Sequence, residues 1–445
     1  MQSKRRFAAA CAAIALAAAT TATVAVTAQA DPAEPETADP VTWSLDGLTA
    51  EQAADLLARG FDVAHQDPDG GVLVVGDGTV ADDLRDLGFD PEFHDTVYKD
   101  LAPAAAQDGT YYGGYRTVDS YEADLEKIAA DHPDLTRLYD IGDSWLKTQG
   151  QGGHDIWAVC VTAVTEGDCE RSPDSAKPRF TLIAQIHARE IATGEVAWRW
   201  IEKLVNGYGT DEAVTDLMDT TEMWIVPVAN PDGVDVVASG GDNPILQRKN
   251  VNDSNGTCGG SGHGIDLNRN STFAWGDDST YPCGQTYQGP AAGSEPETRA
   301  LEQWLGSIHP DQRGEGLDAP APDDARDVFI SLHSYGEYII IPWGHTDRTA
   351  PNDAATRSLG QAMSDSNGYL VGTASETVGY GASGTTDDFT YGEFGIASYT
   401  FEIGGRFGTC GGFFPAYRCV DDRLWPENEG ALMTAAEAAA APYGG

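Results

Sequence analysis

The segment TLIAQIHAREIATGEVAWRW, residues 181–200, joins two hydrophobic patterns of different period. The unbroken apolar run at its start is typical of a buried strand, and the spacing that follows is typical of a helix. His187 and Glu190 lie three residues apart at the junction. Such a pair arises often by chance, and Glu190 could simply face the positive end of the helix dipole. The alternative is a pair of metal ligands, and the remaining motifs decide between the two interpretations.

The composition is that of a large, acidic, globular protein. The chain has 445 residues, of which 41% are hydrophobic, and this is enough for an extensive core. Its 70 acidic residues outnumber 27 basic ones and give a formal net charge of −43. Because nucleic-acid binding depends on a positive surface, this charge argues against a nucleic-acid partner.

Residues 1–30 are predicted to be a secretory signal peptide. Basic residues at positions 4–6 precede the apolar run FAAACAAIALAAATTATVAV, and a small-residue cleavage site follows at Ala28–Ala30. A membrane anchor is the alternative, but the run is rich in alanine and ends at this site. We therefore expect a secreted, extracellular protein that has no membrane association after the signal peptide is removed.

Six of the seven cysteines lie beyond the signal peptide. An even number in an oxidising compartment favours three disulfides, and no C-x-x-C pair is present that would indicate a zinc–thiolate cluster. Six cysteines allow fifteen connectivities. Their grouping along the chain suggests three local loops, closed by Cys160 with Cys169, Cys258 with Cys283, and Cys410 with Cys419.

Two folded units are predicted after the signal peptide. Residues 41 to about 100 have the order strand, helix, strand, strand, helix, strand, which indicates a small split-βαβ domain. The small-residue stretch LAPAAAQDG that follows is a linker of a kind that proteases cut. Residues 108–445 alternate strands and helices, which predicts an α/β domain. In this domain SYEADLEKIAADHP reads as a helix with Ser120 as its N-cap.

A third candidate metal ligand lies at the end of another predicted strand. The segment DVFISLHSYGEY places His333 directly after a run of strand-forming residues. Catalytic zinc sites commonly use two histidines and one carboxylate, with a fourth position left open for water. Since loops gather at the carboxyl edge of an α/β sheet, His333 could meet His187 and Glu190 there. Taken alone, His333 would more often be an ordinary strand-end histidine.

Two further motifs carry polar groups suited to binding and catalysis. HGIDLNRN places Asn268 beside Arg269, whose planar fork can bind a carboxylate through two hydrogen bonds. ASYTFEIGG places Glu402 near the end of a buried strand, where a carboxylate is costly unless it is functional or paired. A structural salt bridge is the plain alternative for each.

Together, these motifs resemble those of the zinc metallocarboxypeptidases of the carboxypeptidase A, B and T type. The resemblance covers roughly residues 110 to 440, and several separated motifs occur in the family's order. It implies that His187, Glu190 and His333 bind one zinc ion, through the motifs HARE and HSY. It also implies that the Cys258 and Cys283 pair is a disulfide beside the arginine motif.

The resemblance assigns a role to each remaining motif. Glu402 is expected to be the general base, and Arg248, in QRKN, to polarise the scissile carbonyl. Asn268 and Arg269 are expected to grip the terminal carboxylate of the substrate, and Tyr380, in ETVGYGASG, to close over it. The implied fold is α/β, with a mixed twisted sheet flanked by helices. Residues 31–107 would then be a propeptide domain of ferredoxin-like, split-βαβ type and its linker, and residues 108–445 the catalytic domain.

The position seven residues beyond Tyr380 is implied to determine specificity, and it is Asp387. A carboxylate deep in the pocket would pair with Lys or Arg of the substrate, although the run TTDDF is also a good N-cap sequence. We therefore expect a monomeric, secreted zinc carboxypeptidase that removes basic and hydrophobic C-terminal residues from peptides and proteins. The alternatives are a related zinc hydrolase acting on cell-wall peptides or acylated amino acids, and an inactive secreted binding protein.

Overall fold

The computed structural model describes residues 39–66, 71–99, 108–256 and 258–444. The predicted signal peptide, residues 67–70 between the second and third predicted strands, and most of the predicted linker lie outside these residues. No helix in the described ranges combines the length and the apolar character needed to cross a membrane.

The N-terminal domain has the element order that the sequence predicts for a split-βαβ unit. Its four strands form one antiparallel sheet in the order β2-β3-β1-β4, and residues such as Leu56, Val74 and Leu84 bury their side chains between the sheet and the two helices. The ferredoxin-like topology is therefore confirmed. The elements are β1 (Val41–Leu45), α1 (Ala50–Ala58), β2 (Asp62–Gln66), β3 (Val72–Gly76), α2 (Gly78–Asp86) and β4 (Glu92–Thr96).

The second domain is built on a sheet of eight strands, in the order β13-β12-β14-β11-β9-β10-β8-β7. A short antiparallel hairpin, β5 (Thr110–Tyr111) and β6 (Tyr115–Arg116), precedes it. The eight strands are β7 (Thr136–Asp143), β8 (Asp155–Val161), β9 (Arg179–Ala184), β10 (Glu222–Val226), β11 (Val328–His333), β12 (Tyr338–Ile341), β13 (Leu370–Thr373) and β14 (Ala397–Glu402).

Helices flank this sheet, and several of them begin directly after a strand. They are α3 (Val118–Asp131), α4 (Trp145–Thr148), α5 (Ile191–Gly207), α6 (Glu212–Thr220), α7 (Pro231–Ala238), α8 (Pro296–Ile308), α9 (Asp353–Asn367), α10 (Ala374–Thr377), α11 (Thr386–Phe394) and α12 (Trp425–Glu437). Short helical turns occur at Gly260–Gly262, Leu267–Arg269, Val420–Leu424 and Ala438–Ala440.

The sheet is mixed, as the sequence predicts. Strands β10, β9, β11 and β14 run parallel to one another, whereas β12 is antiparallel to β14, and β8 is antiparallel to both β10 and β7. Strands β9 and β11 are buried along their whole length, because side chains cover both faces of a parallel sheet. The carboxyl ends of β9, β11 and β14 therefore meet at one edge.

The three local disulfides expected from the cysteine grouping are present. Cys160 is joined to Cys169, Cys258 to Cys283, and Cys410 to Cys419. Each closes a loop of at most 25 residues, so they constrain local segments and do not cross-link distant parts of the chain.

The prediction that Ser120 caps helix α3 is wrong. The helix begins at Val118, and the side chain of Thr117 accepts a hydrogen bond from the backbone N–H of Ser120. Val118, Tyr121 and Leu125 are buried at helical spacing, so the apolar stripe begins two residues before Ser120. Ser120 thus lies in the first turn and donates to the cap.

Candidate active site

Two histidines and a glutamate converge at the carboxyl edge of the sheet. His187 follows β9 by three residues, Glu190 precedes the first residue of α5, and His333 ends β11. The Nδ1 atom of His187 lies 2.8 Å from Oε1 of Glu190, and the Nδ1 atom of His333 lies 3.0 Å from Oε2. The two Nδ1 atoms are 3.0 Å apart. All three residues are buried, so the chain directs three ligand atoms at one point inside the protein.

The other ring nitrogens of the two histidines contact groups that hold the rings in place. Nε2 of His187 lies 3.1 Å from Oδ1 of Asp266, and Nε2 of His333 lies 3.0 Å from the hydroxyl of Ser331. Histidines that bind metal commonly have such a partner, which fixes the tautomer and leaves the opposite nitrogen free to coordinate. Two imidazoles and one carboxylate are a donor set that suits zinc. The three residues therefore fit the zinc ion that the motifs imply.

Charges in this cluster are strongly interdependent. Burial alone would raise the pKa of Glu190, but the adjacent His187 and His333 outweigh it and hold that pKa well below its usual range. Burial also lowers the pKa of His333. Glu190 is therefore the anionic member of the set, as a metal ligand must be.

Glu402 ends β14, directly beside His333 on the neighbouring parallel strand β11. Burial, and then the negative charge of Glu190, raise the pKa of Glu402 well above its ordinary value. Arg248 and Arg269 oppose this shift. The carboxyl group thus lies in the same cleft as the metal set and has a raised proton affinity.

Arg248 lies between the metal set and Asp266. Its Nη2 and Nε atoms donate to Oδ2 of Asp266 at 2.9 and 3.1 Å, while Nη1 lies 3.9 Å from Oε1 of Glu190. The same aspartate thus contacts both His187 and Arg248. Asp266 holds the positive guanidinium of Arg248 at the wall of the cleft. The side chain of Arg248 is 13% exposed.

Asn268 and Arg269 lie in the turn that follows Asp266. The Nε atom of Arg269 is 3.3 Å from Oδ2 of Asp278, and its Nη1 donates to the carbonyl of Asn268 at 2.8 Å. The side-chain oxygen of Asn268 accepts a hydrogen bond from the backbone N–H of Thr386 at 3.0 Å, which ties the turn to helix α11. The guanidinium is 5% exposed, so it offers its charge to the cleft and little to bulk solvent.

Tyr380, between α10 and α11, and Asp387, in α11, border the same cleft. Burial raises the pKa of Tyr380, and the nearby Arg269 and Arg248 partly offset the shift. Asp387 lies in the first turn of α11 and is 4% exposed. Burial, followed by the charge of Asp388, raises the pKa of Asp387 to about 7.

All nine residues singled out in the sequence line one cleft of about 830 Å³, part of which is open to solvent. They are His187, Glu190, Arg248, Asn268, Arg269, His333, Tyr380, Asp387 and Glu402. Such a concave site with convergent polar groups and perturbed pKa values is the usual form of a catalytic centre.

The N-terminal domain contributes to the wall of this cleft. The two domains form one compact unit, and Asp62, Val63 and Ala64 of strand β2 line the cleft. The carboxylate of Asp62 accepts two hydrogen bonds from the guanidinium of Arg189, one of them from Nη2 at 2.8 Å. Arg189 also lies 3.9 Å from the centre of the Phe413 ring. Strand β2 is therefore anchored to Arg189, one of the two residues between His187 and Glu190.

The sequence analysis did not identify Asp266, Asp278 or Asp62 as parts of the site. Asp266 could have been noticed, because GIDL places a carboxylate within an apolar run just before Asn268 and Arg269. Asp62 also lies among apolar residues, in GFDVA, but far along the chain from the other site motifs, and Asp278 lies in polar surroundings with no such signal.

Comparison with known proteins agrees with this geometry. The family model described as zinc carboxypeptidase matches residues 121–421. The chain belongs to the zinc carboxypeptidase family. The prediction from the motifs that this chain is a metallocarboxypeptidase, and therefore a hydrolase, is thereby confirmed.

Several relatives carry the corresponding names. A zinc carboxypeptidase from Saccharothrix mutabilis subsp. capreolus is 29% identical over 406 residues, which cover 87% of this chain and 86% of the relative. A carboxypeptidase B from Helicoverpa zea is 28% identical, over 75% of this chain and 73% of the relative. Carboxypeptidase A4 of Mus musculus is 28% identical over 66% of this chain, and the match spans 63% of the mouse protein's length.

Solved structures show the same fold. Carboxypeptidase A from Helicoverpa armigera superposes with a TM-score of 0.72 at 22% identity, over 90% of this chain and 98% of that chain. Thrombin-activatable fibrinolysis inhibitor superposes with a TM-score of 0.67 at 20% identity, over 90% of this chain and 99% of that chain. Both superpositions cover most of the present chain.

Proposed function

We propose that this chain is a secreted zinc carboxypeptidase that hydrolyses the last peptide bond of peptides and proteins as a monomer. The observation that carries the proposal is the convergence of His187, Glu190 and His333 in the cleft that also holds Glu402 and Arg269. A metal set, a base and a carboxylate-binding cation are the three components that hydrolysis at a free C-terminus requires.

The chain's own residues account for the chemical step. His187, Glu190 and His333 would hold a zinc ion, which would supply Lewis-acid polarisation of the scissile carbonyl and lower the pKa of a water molecule. Glu402, whose pKa is raised by burial, takes a proton from that water and returns it to the leaving amine. Arg248 stabilises the negative charge that develops on the carbonyl oxygen.

Selection of the C-terminal residue depends on the far end of the cleft. Arg269, supported by Asp278 and Asn268, pairs with the free carboxylate of the substrate, and Tyr380 closes over it. Asp387 faces the side chain that is removed, where it pairs with Lys or Arg when ionised. A substrate with a blocked C-terminus would offer no carboxylate to the buried Arg269 and would be rejected.

The proposal is tested by metal removal and reconstitution. Purified enzyme should contain one zinc per chain, lose its activity in a strong chelator and regain it when zinc is added. Active enzyme with no stoichiometric metal would contradict the proposal. Metal bound without activity on any C-terminally free peptide would favour the inactive binding protein, and activity confined to cell-wall peptides or acylated amino acids would favour the related hydrolases.

We also propose that the N-terminal domain is a propeptide that keeps the enzyme latent. The support is the position of Asp62, Val63 and Ala64 in the wall of the cleft and the ion pair of Asp62 with Arg189. Removing the predicted signal peptide would leave this domain in place, and a cut in the linker near Asp108 would release it.

Latency can be measured by comparing the uncut chain with the same chain after mild proteolysis. We expect low activity before cleavage, and high activity together with a new N-terminus near Asp108 after it. Equal activity of the two forms would show that residues 31–107 have no inhibitory role.

A further inference from the structure

Asp388 is a buried carboxylate that the proposed reaction does not use. It is fully buried in the first turn of α11, next to Asp387. It accepts hydrogen bonds from the backbone N–H groups of Gly344 at 2.9 Å and His345 at 3.0 Å. A third comes from the imidazole, where Nδ1 of His345 lies 2.6 Å from Oδ2 of Asp388.

The ring of His345 has a fixed orientation. It packs edge-on against Trp343 at a centroid distance of 5.2 Å and against Phe273 at 5.8 Å. Its side chain is 11% exposed. Because the acceptor is a buried carboxylate, Nδ1 must carry the proton that faces it. His345 is therefore a directed donor that lies behind the wall of the cleft.

The negative charge of Asp388 affects the cleft because it acts on Asp387, which lines the cleft. Burial, and then the charge of Asp388, raise the pKa of Asp387 to about 7. Arg248 and Arg269 are already engaged with Asp266 and Asp278. The charged and titratable groups that border the cleft around Asp387 are His187, Arg189, Glu190, Arg248, Arg269, His333, Tyr380, Glu402 and, from the N-terminal domain, Asp62.

We infer that His345 is a positioning residue that fixes and partly neutralises Asp388, and thereby sets the charge of Asp387, so that the choice between basic and apolar C-terminal residues varies with pH. This inference rests on the proposed function. It adds to the proposed function the residue His345, which does not touch the substrate, and a preference for basic or apolar C-terminal residues that changes with pH.

The direction of the pH effect follows from the chemistry of a carboxyl group. Above its midpoint Asp387 is ionised and pairs with Lys or Arg, whereas below it the neutral pocket favours Leu or Phe. The ratio of kcat/KM for a peptide ending in Arg to that for the same peptide ending in Leu should rise with pH around about 7. Titration of the metal set and Glu402 affects both peptides and cancels in this ratio.

Two substitutions of His345 separate the effect of its hydrogen bond to Asp388 from the effect of its ring packing. His345→Phe keeps an aromatic ring against Trp343 and Phe273 but removes the donor to Asp388. His345→Asn loses the ring but keeps an N–H near the Nδ1 position. In both variants Asp388 retains its two backbone donors.

The experiment measures the Arg-to-Leu ratio between pH 5 and 9, which are about two units on either side of the midpoint, for cleaved wild-type enzyme and both variants. His345→Phe should move the midpoint of the pH dependence of this ratio upward by about one pH unit, because the charge of Asp388 is then less offset. His345→Asn should keep the midpoint near its wild-type position. Asp387→Asn is the control, and its ratio should not vary with pH.

Each alternative outcome is distinct. An Arg-to-Leu ratio that is independent of pH in the wild-type enzyme would overturn the inference. A midpoint that moves in His345→Asn and not in His345→Phe would also overturn it, and would assign His345 to packing. Absence of activity on both peptides in the zinc-loaded wild-type enzyme would overturn the proposed function and this inference with it.

Discussion

The ion pair between Asp62 and Arg189 allows a direct test of the latency proposal. Asp62→Ala in the uncut chain removes both acceptors of the Arg189 guanidinium, which is 1% exposed, while the Asp62 side chain is 13% exposed. Loss of one partner of a buried, hydrogen-bonded charge pair costs about 2–5 kcal/mol, and the partial exposure of Asp62 favours the lower half of that range. We therefore expect docking of the N-terminal domain to weaken by about 2–3 kcal/mol.

If the docked form is inactive, this change should raise the residual activity of the uncut chain by about 30- to 150-fold, up to the activity of cleaved enzyme. The assay is the rate of hydrolysis of a C-terminally free peptide by uncleaved protein, with cleavage excluded by electrophoresis. Asp55→Ala is the matched control, because the pair of Asp55 in α1 with Arg59, directly after that helix, is exposed. Unchanged residual activity in the folded Asp62→Ala protein would refute the role of this ion pair.

Four further changes test individual residues. Glu402→Gln should lower turnover by about 10²- to 10⁴-fold at unchanged zinc content, and near-normal turnover would exclude it as the base. Arg269→Ala should abolish the preference for free over amidated C-termini, which Arg269→Lys should restore only in part, and an unaltered preference would remove Arg269 from this role. Asp387→Ala should reduce activity on the Arg peptide by about 100-fold more than on the Leu peptide, whereas equal losses would make its role structural. Burial raises the pKa of Glu297 to about 8 from an ordinary 4.5. Between these two pH values the folded protein keeps a proton on Glu297 that the unfolded chain releases, so the contribution of Glu297 to stability is lost as pH rises from 4.5 towards 8. Denaturant unfolding should therefore show Glu297→Gln gaining stability relative to wild type as pH rises from 4.5 to about 8, and a constant difference would contradict this assignment.

The central part of the site could be predicted because its residues end strands. His333 and Glu402 each follow a run of strand-forming residues, and parallel strands place such residues at one edge of a sheet. The spacing of His187 and Glu190 at a strand-to-helix junction has the same origin. Local patterns and one topological rule made these four residues candidates, and the resemblance to the zinc metallocarboxypeptidases assigned their roles.

The supporting residues could not be predicted in this way, since their contacts depend on long-range packing. Asp266 is 79 residues from His187, and Asp62 is 127 residues from Arg189. The contact between His345 and Asp388 spans 43 residues and joins the loop after β12 to α11, which have no common sequence pattern. The start of α3 was misplaced because Ser120 and Thr117 are both good caps, and the burial of Val118 decides between them.

The measurement that tests the central claim most directly compares kcat/KM of the cleaved, zinc-loaded enzyme on one peptide with a free C-terminus and on the same peptide amidated. Amidation removes the negative charge that Arg269 is proposed to bind and changes nothing at the scissile bond. The account predicts that the free peptide is preferred by roughly 100-fold or more, with release of a single C-terminal residue. Equal rates, or cleavage at internal bonds, would contradict it.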